Sequence, residues 1–153
     1  HAAPDDCYLG LRGLRTLATR LDRHQDTGLE LAHWLADRPE VARVLHPALP
    51  ACPGHDVWRR DFTGASGLFG VLLRPGIEKP ALAAMLDGLS LFAMGYSWGG
   101  YESLILPTHP GAIRTASAWD HPGPSLRIHA GLEHVDDLIQ DLDKGFARLA
   151  AAA

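Results

Sequence analysis

Between Leu11 and Asp37 the residues Leu11, Leu14, Leu17, Leu21, Leu31 and Leu35 recur mostly at steps of three and four, with Arg12, Arg15, Arg20, Asp22 and Arg23 mostly between them. A period of 3.6 gathers such positions into one stripe, so the spacing predicts one long amphipathic helix, broken or kinked near Gly28. Pro39 ends it, because the residue before a proline is pushed out of the α region; Val41 to Leu45 then reads as a short strand stopped by Pro47. The segment from His46 to Gly54 is too rich in proline for regular structure and is expected to be a surface loop, followed by a short helix from Asp56 to Asp61. Ser66 to Leu73 is an apolar run with two glycines, which fits a buried strand at the centre of a sheet.

Pro80 is placed to open a helix reaching Asp87, and Gly88 to close it. Leu89 to Met94 and Leu104 to Leu106 are apolar segments on either side of the run Tyr96-Ser97-Trp98-Gly99-Gly100-Tyr101-Glu102-Ser103, and the first of them is expected to be a strand. Pro107 to Pro124 is weakly patterned, with one helical turn near Ala112. Leu126 to Ala130 alternates with period two, putting Leu126 and Ile128 on one face and Arg127 and His129 on the other. Val135, Leu138, Ile139, Leu142, Phe146 and Leu149 form the apolar stripe of a last helix, with Asp136 and Asp137 suited to the positive end of its dipole. Ala150 to Ala153 is expected to fray. Strands alternate with helices, and the connection from Met94 to Leu104 is too short for a crossover. The expected fold is therefore an α/β (α+β) sandwich, a small mixed or antiparallel sheet covered on one face by helices.

A chain of 153 residues with 46% hydrophobic content is enough for one sizeable core. Its 14 basic and 18 acidic residues give a net charge of −4, with no basic cluster to grip a phosphate backbone, so nucleic acid is not an expected partner. No apolar run approaches the roughly 18 to 20 residues that span a bilayer. With no signal-like N-terminus, a cytoplasmic protein without membrane contact is expected. Cys7 and Cys52 are too few for a disulfide scaffold and read as free thiols. There is no initiator Met and helical patterning begins almost at once, so the chain reads as part of a longer protein.

The nine histidines include no HxxxH pair and no cysteine pair to complete a tetrahedral site, so no metal is expected. A GxSxG elbow and a phosphate loop are also absent, and the two lysines, Lys79 and Lys144, fall on helices expected to be partly exposed. Two features remain. The Tyr96–Ser103 run sets a hydroxyl, an indole, a Gly pair and a carboxylate side by side; it is either a ligand loop or a hairpin whose Trp packs on the sheet. Arg127, within an apolar strand, is costly to bury unless it meets an anion: either a carboxylate ligand or a structural ion-pair partner.

Five segments carry a resemblance: Arg12 to Leu17 (RGLRTL), Val41 to Pro50 (VARVLHPALP), Asp61 to Phe69 (DFTGASGLF), Ser90 to Leu106 (SLFAMGYSWGGYESLIL) and Leu126 to Phe146 (LRIHAGLEHVDDLIQDLDKGF). In this order, and over nearly the whole chain, they resemble the C-terminal domain of the Cys/Met-metabolism family of pyridoxal-phosphate (PLP) enzymes, a domain of fold type I. The resemblance implies residues 1–40 as a long helix leading from a PLP-binding domain, and 41–153 as the C-terminal α/β domain. It implies that Ser97 and Arg127 bind the α-carboxylate of an amino-acid substrate, with Trp98 beside Ser97. An acidic residue just before that Ser resembles γ-acting members, whereas Tyr96 resembles the β-lyases, as does Trp98. The implied activity of the whole protein is a PLP-dependent lyase cleaving the C–S bond of cystathionine to homocysteine, pyruvate and ammonia, in methionine synthesis, and the implied assembly is a homotetramer. A methionine γ-lyase, a γ-synthase and a non-catalytic interaction domain stay open as alternatives. The family's Schiff-base lysine, in a Ser-x-Thr-Lys context, has no match here. The chain alone is therefore expected to bind no PLP and to have no lyase activity.

Overall fold

The computed structural model describes residues 1–152, folded into six helices and four strands among the described residues. In chain order these are α1 (Pro4–Arg15), α2 (Leu17–Ala36), β1 (Val41–Leu45), α3 (His55–Asp61), β2 (Leu68–Leu73), α4 (Lys79–Asp87), β3 (Leu104–Thr108), α5 (Pro110–Ile113), β4 (Ser125–His129) and α6 (Val135–Ala151). The sheet has the order β1-β2-β4-β3 with antiparallel pairing throughout, so β2 is internal as its apolar run predicts. Phe69 lies opposite Ile128, Val71 opposite Leu126 and Ile105 opposite Ile128, giving one continuous apolar face. Leu31 and Leu35 of α2, Met85 of α4 and Leu138, Leu142 and Phe146 of α6 close over it in one buried core. The α/β sandwich is thus as expected, with the sheet purely antiparallel.

Arg127 and His129 project to the opposite face. Arg127 stands across from Gly70 and Leu106, and His129 across from Leu68 and Leu104. The strand alternation read from the sequence therefore separates core from candidate chemistry.

Three expectations need correction. The long helix breaks at Thr16, not at Gly28. The Gly13 carbonyl receives the Arg20 guanidinium at 2.6 Å and the Thr16 N–H at 3.3 Å, and Thr16 leaves the helical region at φ −113° and ψ 10°. Gly28 is instead regular helix, packed where a β-carbon would come within 3.1 Å of Gly67 Cα. Leu89 to Met94 is not a strand: the buried carboxylate of Asp141 accepts the N–H groups of Ser90, Leu91 and Phe92 at 2.8–3.3 Å, and the segment meets the sheet in a single bridge, Ala93 to Leu104. Met94 to Leu104 is accordingly not a hairpin connection. Finally, α6 continues through Ala150 and Ala151 rather than fraying there, while Ala153 lies outside the described residues.

No helix among the described residues is long and apolar enough to cross a membrane. Cys7 and Cys52 are both free.

Candidate carboxylate site

The loop from Gly95 to Ser103 leaves the edge of the sheet and returns as β3. Gly99, at φ +78°, takes a backbone conformation that side-chain-bearing residues rarely adopt, which lets the chain reverse there. Three side chains tie the loop to β4 and the turn after it. Arg127 Nη2 donates to the Gly95 carbonyl at 3.3 Å and to the Ser97 carbonyl at 3.4 Å, and its guanidinium lies 5.8 Å from the centre of the Tyr96 ring. His129 Nε2 lies 3.1 Å from both the Gly99 nitrogen and the Gly100 oxygen. At the far end Glu133 accepts the N–H and the hydroxyl of Ser103, and Ser103 Oγ in turn accepts the Gly131 N–H at 2.8 Å. Close approach makes Gly131 a requirement, because a β-carbon there would run into the Tyr101 carbonyl and the Glu133 carboxylate.

The four residues singled out from the sequence are brought together. Arg127 is half-buried beneath the loop, while Tyr96, Ser97 and Trp98 lie on its exposed side, Trp98 at 64% exposure. The hairpin alternative, in which Trp98 packs on the sheet, is therefore not realised. Neither is the structural ion pair: among the described residues no carboxylate lies within salt-bridge distance of Arg127. Its Nε–H and both Nη1 hydrogens have no hydrogen-bond partner among the described residues, nor do the Ser97 hydroxyl and the Trp98 indole N–H. A guanidinium fixed by two loop carbonyls with donors to spare, under a loop that also carries an unpartnered hydroxyl and indole N–H, is a set of donors without an acceptor. It matches what a carboxylate accepts.

Sequence reasoning missed His129, His24 and Glu133 as parts of this site. His129 is 3% exposed and His24, from α2, is 2% exposed, with ring centres 5.0 Å apart. Burial, opposed in part by the Gly100 carbonyl, holds the His129 imidazole below its ordinary pKa. The usable signal was the strand alternation, which places His129 on the same face as Arg127.

Neither lysine hydrogen-bonds to the loop. Lys79 opens α4, and Lys144 donates to Gln140 from the exposed side of α6. The residues present therefore do not fit covalent attachment of an aldehyde cofactor at this site. An open groove of about 470 Å³, lined by Leu82, Leu86, Met94, Pro107 and Pro122 among others, includes none of Tyr96, Ser97, Trp98 or Arg127. Among the described residues no group of three or more His, Cys, Asp or Glu could hold a metal.

Comparison with known proteins extends the resemblance read from the sequence. A cystathionine beta-lyase of Escherichia coli is 55% identical over 95% of this chain and 38% of its own length. A cystathionine gamma-synthase of Mycobacterium bovis is 37% identical over 92% of this chain and 36% of its own. The crystal structure of a cystathionine gamma synthase from Xanthomonas oryzae in complex with cystathionine superposes with a TM-score of 0.83 at 35% identity, covering 99% of this chain and 40% of that one. The chain thus spans about two fifths of the length of such relatives. The family model for Cys/Met metabolism PLP-dependent enzymes matches residues 1–147, and the chain belongs to that family.

Proposed function

We propose that this chain is the substrate-carboxylate-binding part of a longer, cytoplasmic, PLP-dependent carbon–sulfur lyase that cleaves cystathionine to homocysteine, pyruvate and ammonia. The observation that carries the reading is Arg127: a half-buried guanidinium without a carboxylate partner among the described residues, held by the Gly95 and Ser97 carbonyls with further N–H groups unpaired beneath the loop that carries Ser97 and Trp98. The fork of Arg127 takes the two carboxylate oxygens, and the Ser97 hydroxyl and Trp98 indole supply further donors. Fixing the carboxylate orients the substrate's Cα for proton removal by groups outside this chain. Residues 1–40, now seen as two helices, lead from the cofactor-binding domain, and 41–153 form the C-terminal domain. PLP is the cofactor of the longer protein; this chain alone holds none and is inactive. The assembly of the longer protein is a homotetramer.

Cleavage on the β side is supported by Tyr96 and by relatives such as the Escherichia coli cystathionine beta-lyase at 55% identity. The γ-acting reading draws on the gamma-synthase relatives, and a third on an L-alanine/L-glutamate racemase of Wolbachia pipientis, 46% identical over 94% of this chain. Product analysis on the full-length enzyme separates them: pyruvate from cystathionine supports β-elimination, 2-oxobutyrate the γ-acting reading, and inverted alanine or glutamate racemisation. In the same enzyme Arg127→Ala is expected to lower kcat/KM about a hundredfold with the fold retained, since two charge-assisted hydrogen bonds contribute about 1.5 kcal/mol each. Unfolding of that variant, or unchanged kinetics, would refute the clamp.

A further inference from the structure

The loop that presents Ser97 and Trp98 has its reversal at Gly99-Gly100, and two backbone groups of that reversal, the Gly99 N–H and the Gly100 carbonyl, face one ring. His129 Nε2 lies 3.1 Å from Gly99 N and 3.1 Å from Gly100 O, and Nδ1 lies 3.5 Å from Gly99 N. A nitrogen cannot donate and accept along the same edge at once. With its proton on Nε2, the neutral ring donates to the Gly100 carbonyl and keeps bare Nδ1 as the acceptor for the Gly99 N–H. The imidazolium keeps the Nε2–H bond to the Gly100 carbonyl but has no acceptor, so its Nδ1–H is left against the Gly99 N–H.

We propose that His129 is a positioning residue for the substrate-carboxylate site: its neutral imidazole clasps the Gly99-Gly100 reversal and so holds Ser97 and Trp98 over Arg127, and its protonation frees the Gly99 side of that clasp and loosens the loop. This rests on the reading of Ser97 and Arg127 as the carboxylate site. The ring has little freedom to turn away. His24 packs against it with ring centres 5.0 Å apart, and His24 is itself fixed by donating Nδ1–H to the Ala130 carbonyl at 2.8 Å, one residue beyond His129 in the chain. On either side the neighbouring strands present Leu68 and Leu104.

The charged and titratable groups around the ring are His24 from α2, Arg127 from β4 and Glu133 from the turn before α6. His24 and Arg127 oppose a positive charge on His129 and Glu133 favours it. Burial is the largest influence, and the net direction is downward from 6.5. At neutral pH both halves of the clasp are therefore made, and the Gly99 half is lost on acidification below that ordinary value.

The test uses the full-length enzyme loaded with its cofactor. His129→Leu removes both hydrogen-bonding atoms and is expected to raise the KM for the amino-acid substrate about tenfold, with kcat within a few-fold of the wild type. His129→Gln carries a carbonyl acceptor and an N–H donor on one amide that does not titrate. It is expected to restore KM to within about twofold and to lack the rise of KM below pH 6.5 that is expected of the wild type. Hydrogen exchange at the Gly99 amide, which needs no substrate, is expected to speed up relative to its intrinsic rate in His129→Leu and, in the wild type, on acidification. A wild-type KM in His129→Leu, an acid-side KM rise persisting in His129→Gln, or Gly99 exchange indifferent to His129 would each overturn the assignment. Should His129→Leu fail to fold, the pH profile of His129→Gln decides alone. An Arg127→Ala variant with unchanged KM marks failure of the carboxylate reading, and is told apart because Gly99 exchange would still follow His129.

Discussion

Glu133 holds Ser103 at two points: Oε1 accepts the Ser103 N–H at 2.7 Å and Oε2 its hydroxyl at 2.8 Å. Ser103 is fully buried, and its Oγ also accepts the Gly131 N–H, so one hydroxyl joins the end of the site loop to the turn before α6. Ser103→Ala leaves a buried Gly131 N–H and a carboxylate oxygen without their partner. The expected loss is about 1–3 kcal/mol, read as a lower urea midpoint at unchanged m-value. A midpoint within error of the wild type would show that water replaces the hydroxyl at no cost.

Asp141 does the comparable task at the other end of the segment. It is 6% exposed, and its carboxylate accepts three consecutive N–H groups, those of Ser90, Leu91 and Phe92. Those N–H groups have left the sheet, so without Asp141 they are unsatisfied near the core. Asp141→Ala is expected to cost about 3 kcal/mol, the scale of charge-assisted hydrogen bonds lost at a buried site. Asp141→Asn keeps one acceptor and is expected to cost less. Equal midpoints for the two variants would argue against the bonds as the source of stability.

That carboxylate also explains where the sequence misleads. Leu89 to Met94 has the apolar content of a strand, and nothing local distinguishes a strand from an extended segment whose donors are taken by a side chain 50 residues away. The helix break has the same character: Gly28 is the weak helix former within the pattern, yet packing on Gly67 keeps it helical, while Arg20 capping the Gly13 carbonyl decides the break at Thr16. By contrast, β4 was legible because alternation alone sorts Leu126 and Ile128 from Arg127 and His129. The candidate site was legible as residue types, Ser97, Trp98 and Arg127, but its supports were not. His24 and Glu133 reach it from elements far from the loop in the chain, and no spacing rule links them.

His46 makes stability depend on pH. It is fully buried against Phe69, and its Nδ1 accepts the Ala48 N–H at 3.2 Å, so the ring is neutral with Nδ1 bare. Burial lowers its pKa from 6.5, with the Ser66 carbonyl opposing and His33 adding to the shift. The unfolded chain thus binds more protons than the folded one just below that value. Stability is complete above pH 6.5, declines as pH falls through the window between that value and the depressed folded one, and levels off beneath it. His129 is shifted in the same direction and adds to the slope. His46→Asn puts a carbonyl oxygen where Nδ1 accepts and does not titrate, so denaturation midpoints measured from pH 7 to 5 are expected to fall less steeply for the variant. Parallel profiles would remove His46 as a contributor.

The first helix carries its apolar residues outward. Tyr8, Leu9, Leu11 and Leu14 are 50–67% exposed, α1 buries none of its residues, and Leu17 and Leu21 extend the exposed series onto α2. A stripe of this kind on a stable monomer is uncommon, because contiguous apolar surface lowers the free energy when it is covered. For this chain in isolation, self-association is expected at micromolar concentration. The double variant Leu11→Lys, Leu14→Lys places two charges in the middle of the stripe without touching the core, and light scattering is expected to show a smaller particle with an unchanged circular dichroism spectrum. A wild-type chain that scatters as a monomer across that range would mean that the stripe is tolerated by the isolated chain, and that α1 contributes little to association.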